Sequence, residues 1–347
     1  MNIVTKKKLP SGKEITKLFP LSKKERVKIK KDQEEVKNII EGKDSRFLVV
    51  VGPCSAWPMP AVLDYAQKLK KLETKYKDYL KIVMRVYIQK PRTIKGWLGS
   101  VNQPDPFKKA DIKKGISYSR EMMVKVLRLG LPISDEALFT HNTEGFLELL
   151  SWVAIGARSA EDQEHRNFAS MLPFAVGLKN PTCGSVEIGI NSVVAAQSPD
   201  VATFFGYEVQ TKGNPYSHLV LRGGMQGPNY SLNFIKVAIK EMEKYKINNP
   251  SIILDASHDN SLMVNGLRNH KNQMLVVRES LETFKKHPEL LKVVKGFMLE
   301  SFIKEGSQKV DSKKPEKLDM SGLSITDACL SWDQTKKVLT ELAEFKK

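Results

Sequence analysis

Cysteine is scarce in this sequence, and long apolar runs are absent from it. The three cysteines, Cys54, Cys183 and Cys329, are odd in number and widely spaced, which argues against a disulfide framework and favours a reducing compartment. No stretch approaches the ~20 apolar residues of a membrane span. No apolar run follows the N-terminal lysines, so we expect no secretory signal. These absences predict a cytoplasmic globular protein that does not enter a membrane.

The sequence has a large excess of positive charge. The 56 lysines and arginines outweigh 39 aspartates and glutamates, which gives a formal net charge of +17. Such a balance is compatible with nucleic-acid binding. However, the basic residues are spread along the chain, and the aromatic-rich basic platform or helical motif of such binders is missing. We therefore predict a solvated, lysine-rich surface, for example at Lys108, Lys109, Lys113 and Lys114, and no nucleic-acid partner.

Eight short apolar runs recur along the chain, and helical patterns separate them. Runs without polar alternation are typical of strands buried on both faces, as in a parallel sheet. The runs cover residues 47–52, 82–88, 131–136, 152–158, 174–179, 218–222, 252–258 and 297–302, and helices are predicted over 59–74, 116–130, 233–245 and 262–284. Eight strand–helix repeats predict an α/β fold, a closed (β/α)8 TIM barrel.

Two segments depart from this rhythm. Residues 1–45 are polar and charged, with a helix-like stretch at 32–41, and we predict an N-terminal arm that contacts a partner subunit. Residues 202–211 (ATFFGYEVQT) are predicted to form an inserted β-hairpin. Residues 332–347 are the predicted closing helix. We therefore divide the chain into an arm, 1–45, and a barrel catalytic domain, 46–347.

Unusual polar residues collect at or near the carboxyl ends of the predicted strands. A barrel brings these ends together at one face, where its loops build the active site. Buried charged side chains need partners, which bound anions and a metal would supply. The residues are Cys54, Arg85, Lys90, Arg92, Glu136, Arg158, Lys179, Arg222, His258 and Glu300.

This set contains two kinds of ligand. Cys54, His258 and Glu300, with Asp327, are a mixed soft and hard group that suits a divalent Mn, Fe, Co or Zn ion. Each of them alone would more often be structural, so the argument rests on their joint occurrence. Arginine and lysine bind phosphate and carboxylate groups, and six cations at one face predict two anionic substrates. The six are Arg85, Lys90, Arg92, Arg158, Lys179 and Arg222.

An ordered set of short motifs carries a family resemblance. The motifs are GPCS at 52–55, KPRT at 90–93, AIGAR at 154–158, KN at 179–180, LRGG at 221–224, SHDNS at 257–261 and SITDAC at 324–329. With them the chain resembles the 3-deoxy-D-arabino-heptulosonate 7-phosphate (DAHP) synthases of the type I alpha class, from about residue 47 to the end. These enzymes catalyse the first step of the shikimate pathway of aromatic amino acid biosynthesis.

The resemblance implies a (β/α)8 barrel that condenses phosphoenolpyruvate, D-erythrose 4-phosphate and water into DAHP and phosphate. It also implies a divalent metal, a dimer or tetramer and an aromatic amino acid effector. Cys54, His258, Glu300 and Asp327 match the metal ligands, and Lys90, His258 and Asp327 are the implied catalytic residues. The residues that match the phosphoenolpyruvate site are Arg85, Lys90, Glu136, Arg158, Lys179 and Arg222. Those that match the segment receiving erythrose 4-phosphate are Pro91, Arg92 and Thr93, together with Ser55.

Several positions depart from the family pattern. Pro181 and Cys183 follow Lys179-Asn180 where the family usually has Gly and Asp, and Asp259 lies inside the Ser-His-x-Asn motif. The effector region also carries unusual residues, which leaves the effector open: Phe139, Thr143, Pro173, Ala202 and Phe204. Cys329 is either a buried small residue or a thiol that pairs with Cys54 on oxidation.

Three alternatives remain at this stage. The sister enzymes that make 3-deoxy-octulosonate 8-phosphate from arabinose 5-phosphate share the barrel and the chemistry. The KPRT segment, the chain length and the arm favour the four-carbon aldehyde instead. A Schiff-base aldolase would use Lys179 or Lys90 as its nucleophile, and a nucleic-acid binder is the third alternative.

Overall fold

The parallel strands of the chain close into a barrel. The computed structural model describes residues 2–92, 96–138, 144–204, 206–263, 265–311 and 313–347. The strands are β1 (Phe47–Gly52), β2 (Leu80–Arg85), β3 (Ile133–Ala137), β4 (Leu150–Ile155), β5 (Val176–Lys179), β6 (Val201–Phe204), β7 (Tyr207–Gln210), β8 (Ser217–Leu221), β9 (Ile252–Asp255) and β10 (Val294–Glu300). The closed order β1-β10-β9-β8-β5-β4-β3-β2 confirms the predicted (β/α)8 barrel, and β6 pairs with β7 as the predicted inserted hairpin.

Helices surround the barrel and also form the arm. They are α1 (Gly12–Leu18), α2 (Lys23–Glu41), α3 (Met59–Tyr76), α4 (Ile112–Arg128), α5 (Gln163–Met171), α6 (Val186–Gln197), α7 (Leu232–Lys244), α8 (Asn272–Lys286) and α9 (Trp332–Lys346). The barrel strands are buried along their whole length, as their uniformly apolar runs predict. No described helix has both the length and the apolar composition needed to cross a bilayer.

The arm closes the amino end of the barrel. Helix α2 begins at a capping box, in which the Ser22 and Glu25 side chains each bond the other's backbone N–H. Its apolar residues Val36, Ile39 and Ile40 are at most 1% exposed and pack into the barrel's inner core. Lys81, the second residue of β2, is buried, and its ammonium donates a 2.7 Å hydrogen bond to the Asp32 carboxylate. The arm is thus more helical than the predicted stretch at 32–41.

One predicted helix is partly wrong. The helix predicted over 262–284 begins at Asn272, because the described residues 262–263 and 265–268 belong to a tight turn instead. Leu262 pairs with Arg268, and the Met263 N–H donates to the Leu267 carbonyl at 2.8 Å. Gly266 has a φ of 75°, a left-handed conformation that favours glycine. This turn brings Arg268 to the mouth of the barrel.

Candidate active site

The barrel register brings three of the predicted metal ligands together. Gly52, the last residue of β1, lies opposite Glu300, the last residue of β10, and Cys54 follows two residues later. Asp327 reaches the same point from the segment before α9. The ligand atoms of Cys54, Glu300 and Asp327 all lie within 4.8 Å of one another, so this group could hold a metal ion.

His258 lies beside this group and not inside it. Its Nε2 is 3.9 Å from Glu300 Oε1, and its Nδ1 is 2.9 Å from Asp255 Oδ2 at the end of β9. The two atoms are close enough for an ion pair but lack hydrogen-bond geometry, so Asp255 places a negative charge beside the ring. His258 also has a φ of 54°, an unusual conformation for a non-glycine residue and one that is typical of functional sites.

The electrostatics of the group favour a bound cation. Burial, together with the negative charge of Glu300, raises the pKa of the Cys54 thiol well above its ordinary value. Burial would also raise the pKa of Glu300, but the charges of His258 and Arg85 outweigh it and hold that pKa below its usual range. A divalent cation would offset the free-energy cost of a buried thiolate, because its positive charge compensates the negative ligands directly. The donor set therefore fits a divalent metal.

A cavity of about 380 Å³ opens over this group at the carboxyl ends of the strands. The predicted residues among its lining are Lys90, Pro91, Arg92, Glu136, Arg158, Lys179, Arg222, His258 and Asp327. Cys54, Arg85 and Glu300 are buried and do not line it. Ser55 is also buried and shares a 2.8 Å hydrogen bond with Thr326, so its hydroxyl is already engaged. Thr93 lies outside the described residues.

Two buried arginines of the site have nitrogens that lack a hydrogen-bond partner within the described chain. Arg85 is fully buried, with Nη2 2.9 Å from Glu300 Oε1 and its guanidinium over the ring of Tyr87, yet its Nη1 is unsatisfied. The Nε of Arg222 is unsatisfied as well. Buried N–H groups normally have acceptors, and a phosphate or carboxylate would supply them here.

Lys90 is held in its charged form. Burial alone would lower its pKa, but the neighbouring charges of Cys54, Glu136 and Glu300 raise that pKa above the ordinary value. Lys179 is also buried, with its ammonium 3.1 Å from Asp255. Both lysines line the cavity, where their side chains are suited to bind anionic groups.

The sequence patterns missed three acidic or basic residues of the site. Asp255 ends β9, so the same strand-end criterion that selected Glu300 would have found it. Asp259 accepts from Arg222 with one carboxylate oxygen and from Arg268 with the other, at 2.8 Å from the Arg268 Nε. Arg268 lines the cavity, but the sequence predicts a helix over 262–284, so no pattern places Arg268 at the mouth.

Two further features concern residues that the sequence analysis names. Cys329 is buried, and its sulfur accepts from the Cys54 backbone N–H at 3.4 Å, so the two cysteines are neighbours and both are free. A separate cavity of about 470 Å³ lies beside the β6–β7 hairpin, with Pro173 and Phe204 in its wall. Ala202 lies on β6, whereas Phe139 and Thr143 are outside the described residues.

Comparison with known proteins agrees with this geometry. The model of the DAHP synthetase I family matches residues 21–340. The Trp-sensitive phospho-2-dehydro-3-deoxyheptonate aldolase of Enterobacter agglomerans is 41% identical over 313 residues, which cover 88% of this chain and 86% of that protein. The Tyr-sensitive enzyme of Salmonella typhimurium is 37% identical, with 99% of this chain and 94% of that protein covered.

A solved structure extends the agreement to three dimensions. The phospho-2-dehydro-3-deoxyheptonate aldolase of Francisella tularensis SCHU S4 superposes with a TM-score of 0.91 at 36% identity, over 99% of this chain and 98% of that chain. The strand-end motifs, the closed barrel and these matches lead to one conclusion: the chain belongs to the DAHP synthetase I family.

Proposed function

We propose that the cavity at the carboxyl ends of the strands condenses phosphoenolpyruvate with erythrose 4-phosphate on a divalent metal held by Cys54, His258, Glu300 and Asp327. The condensation to DAHP, the first step of the shikimate pathway, is the activity of the family to which the chain belongs. The metal and the residue roles are the proposal. The observation that carries them is the meeting of Cys54, Glu300 and Asp327 within 4.8 Å, beside a cavity ringed by cations.

The metal would act as a Lewis acid toward the aldehyde oxygen of erythrose 4-phosphate. The residues of the chain supply the rest. Arg85, Lys179 and Arg222 bind the phosphate and carboxylate of phosphoenolpyruvate, which orients its C3 toward the aldehyde carbon. Arg92 binds the phosphate of the second substrate, and Arg158 adds to the positive field that stabilises the reacting anions.

Proton transfer is assigned to Lys90. Its ammonium is buried and its pKa is raised, so it carries a proton at neutral pH. It lines the same cavity as Asp327 and Arg92, where the new alkoxide forms from the aldehyde. Attack of water at C2 and loss of phosphate then complete the reaction, with the phosphate leaving among the arginines.

Release of inorganic phosphate from phosphoenolpyruvate tests this proposal. The assay is run with erythrose 4-phosphate or arabinose 5-phosphate, each with and without a chelator. We expect release with the four-carbon sugar, loss of activity with chelator and recovery on addition of Mn, Fe, Co or Zn ions. Faster release with arabinose 5-phosphate would favour the octulosonate alternative, and borohydride trapping of substrate on Lys90 or Lys179 would favour a Schiff-base enzyme.

Three further roles belong to the proposal. Relatives named Trp-sensitive and Tyr-sensitive support an aromatic amino acid effector, for which the cavity beside the β6–β7 hairpin is the candidate site. The arm, residues 1–45, carries exposed apolar residues Ile3 and Val4, which support a contact with a partner subunit in a dimer or tetramer. Three free cysteines support a cytoplasmic location.

A further inference from the structure

A second cavity opens at the opposite end of the barrel from the candidate active site. Its volume is about 410 Å³, and Phe47 and Val294, the first residues of β1 and β10, lie in its wall. The proposed metal ligands Cys54 and Glu300 lie at the other ends of the same two strands. We call this the basal cavity, and its wall also contains Gly42, Pro288, Lys295 and Lys346.

Lys295 is the unusual residue of the basal cavity. It is the second residue of β10 and only 9% exposed, and within the described chain its ammonium has no hydrogen-bond or ion-pair partner. A Cβ placed on Gly42, across the cavity wall, would lie 3.2 Å from its Nζ. A buried ammonium without an acceptor is costly, so the position calls for an anion.

A second ammonium lies in the same cavity and adds to this cost. Lys346, at the end of α9, places its Nζ 4.6 Å from the centre of the Phe47 ring. Burial and the charge of Lys346 together lower the pKa of Lys295. Burial also lowers the pKa of Lys346, and the charge of Asp44 offsets this only in part. The two lysines therefore repel each other across the cavity.

The carboxylates in the wall do not neutralise these lysines. Glu41 is engaged with Lys43, at 2.6 Å, and Asp44 with Arg46, at 2.5 Å. The wall therefore contains more basic than acidic side chains, since Glu41 and Asp44 stand against Arg46, Lys292, Lys295 and Lys346. Such an excess in a concave site attracts and concentrates small anions.

We propose that the basal cavity binds a phosphate dianion, either free or as the head of a phosphomonoester, between Lys295 and Lys346. Two ammonium groups match the double charge, and lysine is a common point-charge ligand of phosphate. The volume falls within the ~300–1,000 Å³ of small-ligand sites. Phe47, Pro288 and Val294 give an apolar wall for the remainder of an ester. Because the cavity lies at the amino end of the strands, this site is separate from the condensation chemistry.

Isothermal titration of the full-length enzyme tests the site. Saturating phosphoenolpyruvate first occupies Arg85, Lys179 and Arg222 at the barrel mouth, and inorganic phosphate or glycerol phosphate is then titrated. Any binding at Arg92 is common to all the proteins compared. The variants are Lys295→Met and Lys346→Met, which keep an unbranched apolar chain without the charge. The matched control is Lys240→Met, which removes an exposed lysine from α7.

We expect the wild type and Lys240→Met to bind one more equivalent of ligand than Lys295→Met or Lys346→Met, with kcat unchanged in all four proteins. Binding of inorganic phosphate alone would identify the ligand as the free ion, whereas additional binding of glycerol phosphate would extend it to esters. Equal stoichiometry and affinity in wild type and both cavity variants would overturn the proposal.

Thermal unfolding gives an independent readout. In phosphate-free buffer Lys295→Met should unfold at a higher temperature than the wild type, because it removes an uncompensated buried charge. Phosphate should raise the Tm of the wild type and leave that of the variant unchanged, since a ligand stabilises only the protein that binds it. The same rise in both proteins would contradict a basal phosphate site.

Discussion

At the scale of single residues, the ion pair of Asp259 with Arg268 lies at the mouth of the candidate site. One carboxylate, Asp259, bridges Arg222 and Arg268, and both arginines line the cavity. The bridge fixes two long side chains that would otherwise lose conformational freedom on binding a substrate. Arg268 thereby adds a cation that sequence motifs alone do not reveal.

We predict that Arg268→Gln raises the KM for a phosphorylated substrate by about tenfold, the equivalent of one charge-assisted hydrogen bond, with a smaller effect on kcat. Steady-state kinetics with each substrate varied in turn measures this. Arg278→Gln is the matched control, because Arg278 is similarly exposed and paired with Glu341 on the surface. A KM equal to that of the control for both substrates would contradict the role.

His218 links stability to pH. It is buried beside Trp152, whose indole N–H donates to His218 Nε2 at 3.2 Å, while Nδ1 lies 2.9 Å from the Tyr216 carbonyl. Only the neutral ring can accept from the indole and donate to the carbonyl at once. Burial accordingly lowers the pKa of His218 to about 4.

Because this pKa is lowered on folding, the unfolded chain binds the proton more tightly, and stability is lost as pH falls from about 6.5 toward 4. We predict that His218 accounts for about 2 kcal/mol of the stability lost between pH 7 and pH 5. Urea unfolding at both pH values measures it. The stability lost between pH 7 and pH 5 should be smaller by that amount in His218→Gln than in the wild type. It should be unchanged in His287→Gln, a control at a partly exposed histidine. Equal losses in the wild type and both variants would refute the assignment.

At the scale of elements, helix α2 acts as the plug of the barrel's amino end. Ile39 is fully buried in the inner core, whereas Val27, on the same helix, is 60% exposed. We predict that Ile39→Ala lowers the free energy of unfolding by about 2–4 kcal/mol, through a cavity in that core. Val27→Ala should change it by less than about 0.5 kcal/mol. Urea unfolding of both variants is the measurement, and similar values for the two would show that α2 does not seal the barrel.

The elements also show where sequence patterns succeed and where they fail. The run at 47–52 coincides with β1, because a strand buried on both faces is apolar throughout. The run at 82–88 extends past β2, since Tyr87 and Ile88 stay buried after the ladder ends at Arg85. Apolar content reports burial, whereas hydrogen bonding sets the end of a strand. The beginning of α2 is so rich in lysine that only its capping box, Ser22 and Glu25, signals it.

The candidate site was predictable to a similar degree and for related reasons. Polar residues that interrupt apolar runs, such as Arg85 and Glu300, stand out in the sequence and do meet at one end of the barrel. Arg268 could not be found in this way, because its position depends on the turn at Gly266 and on an ion pair with Asp259. A side-chain contact that depends on how a loop turns is visible only in the folded chain.

At the scale of the whole molecule, the net charge of +17 has two components. Most lysines are solvated, as predicted for Lys108 and Lys113, and many pair along helices, as Lys125 does with Glu121 at 2.6 Å. A smaller set of cations is buried and lines the two ends of the barrel. The surface set governs solubility, whereas the buried set recognises anions.

The central claim is that a divalent metal bound by Cys54 operates beside these buried cations. Metal content per chain, measured together with phosphate release from phosphoenolpyruvate and erythrose 4-phosphate, tests it most directly. Cys183→Ala is the control, because Cys183 is exposed and free. We predict that the wild type and Cys183→Ala bind one metal ion per chain and are active. Cys54→Ala should lose the metal, and its activity should fall by more than the about 10–100-fold that removal of a residue supporting a metal ligand typically costs. Full activity of Cys54→Ala without bound metal would contradict the account.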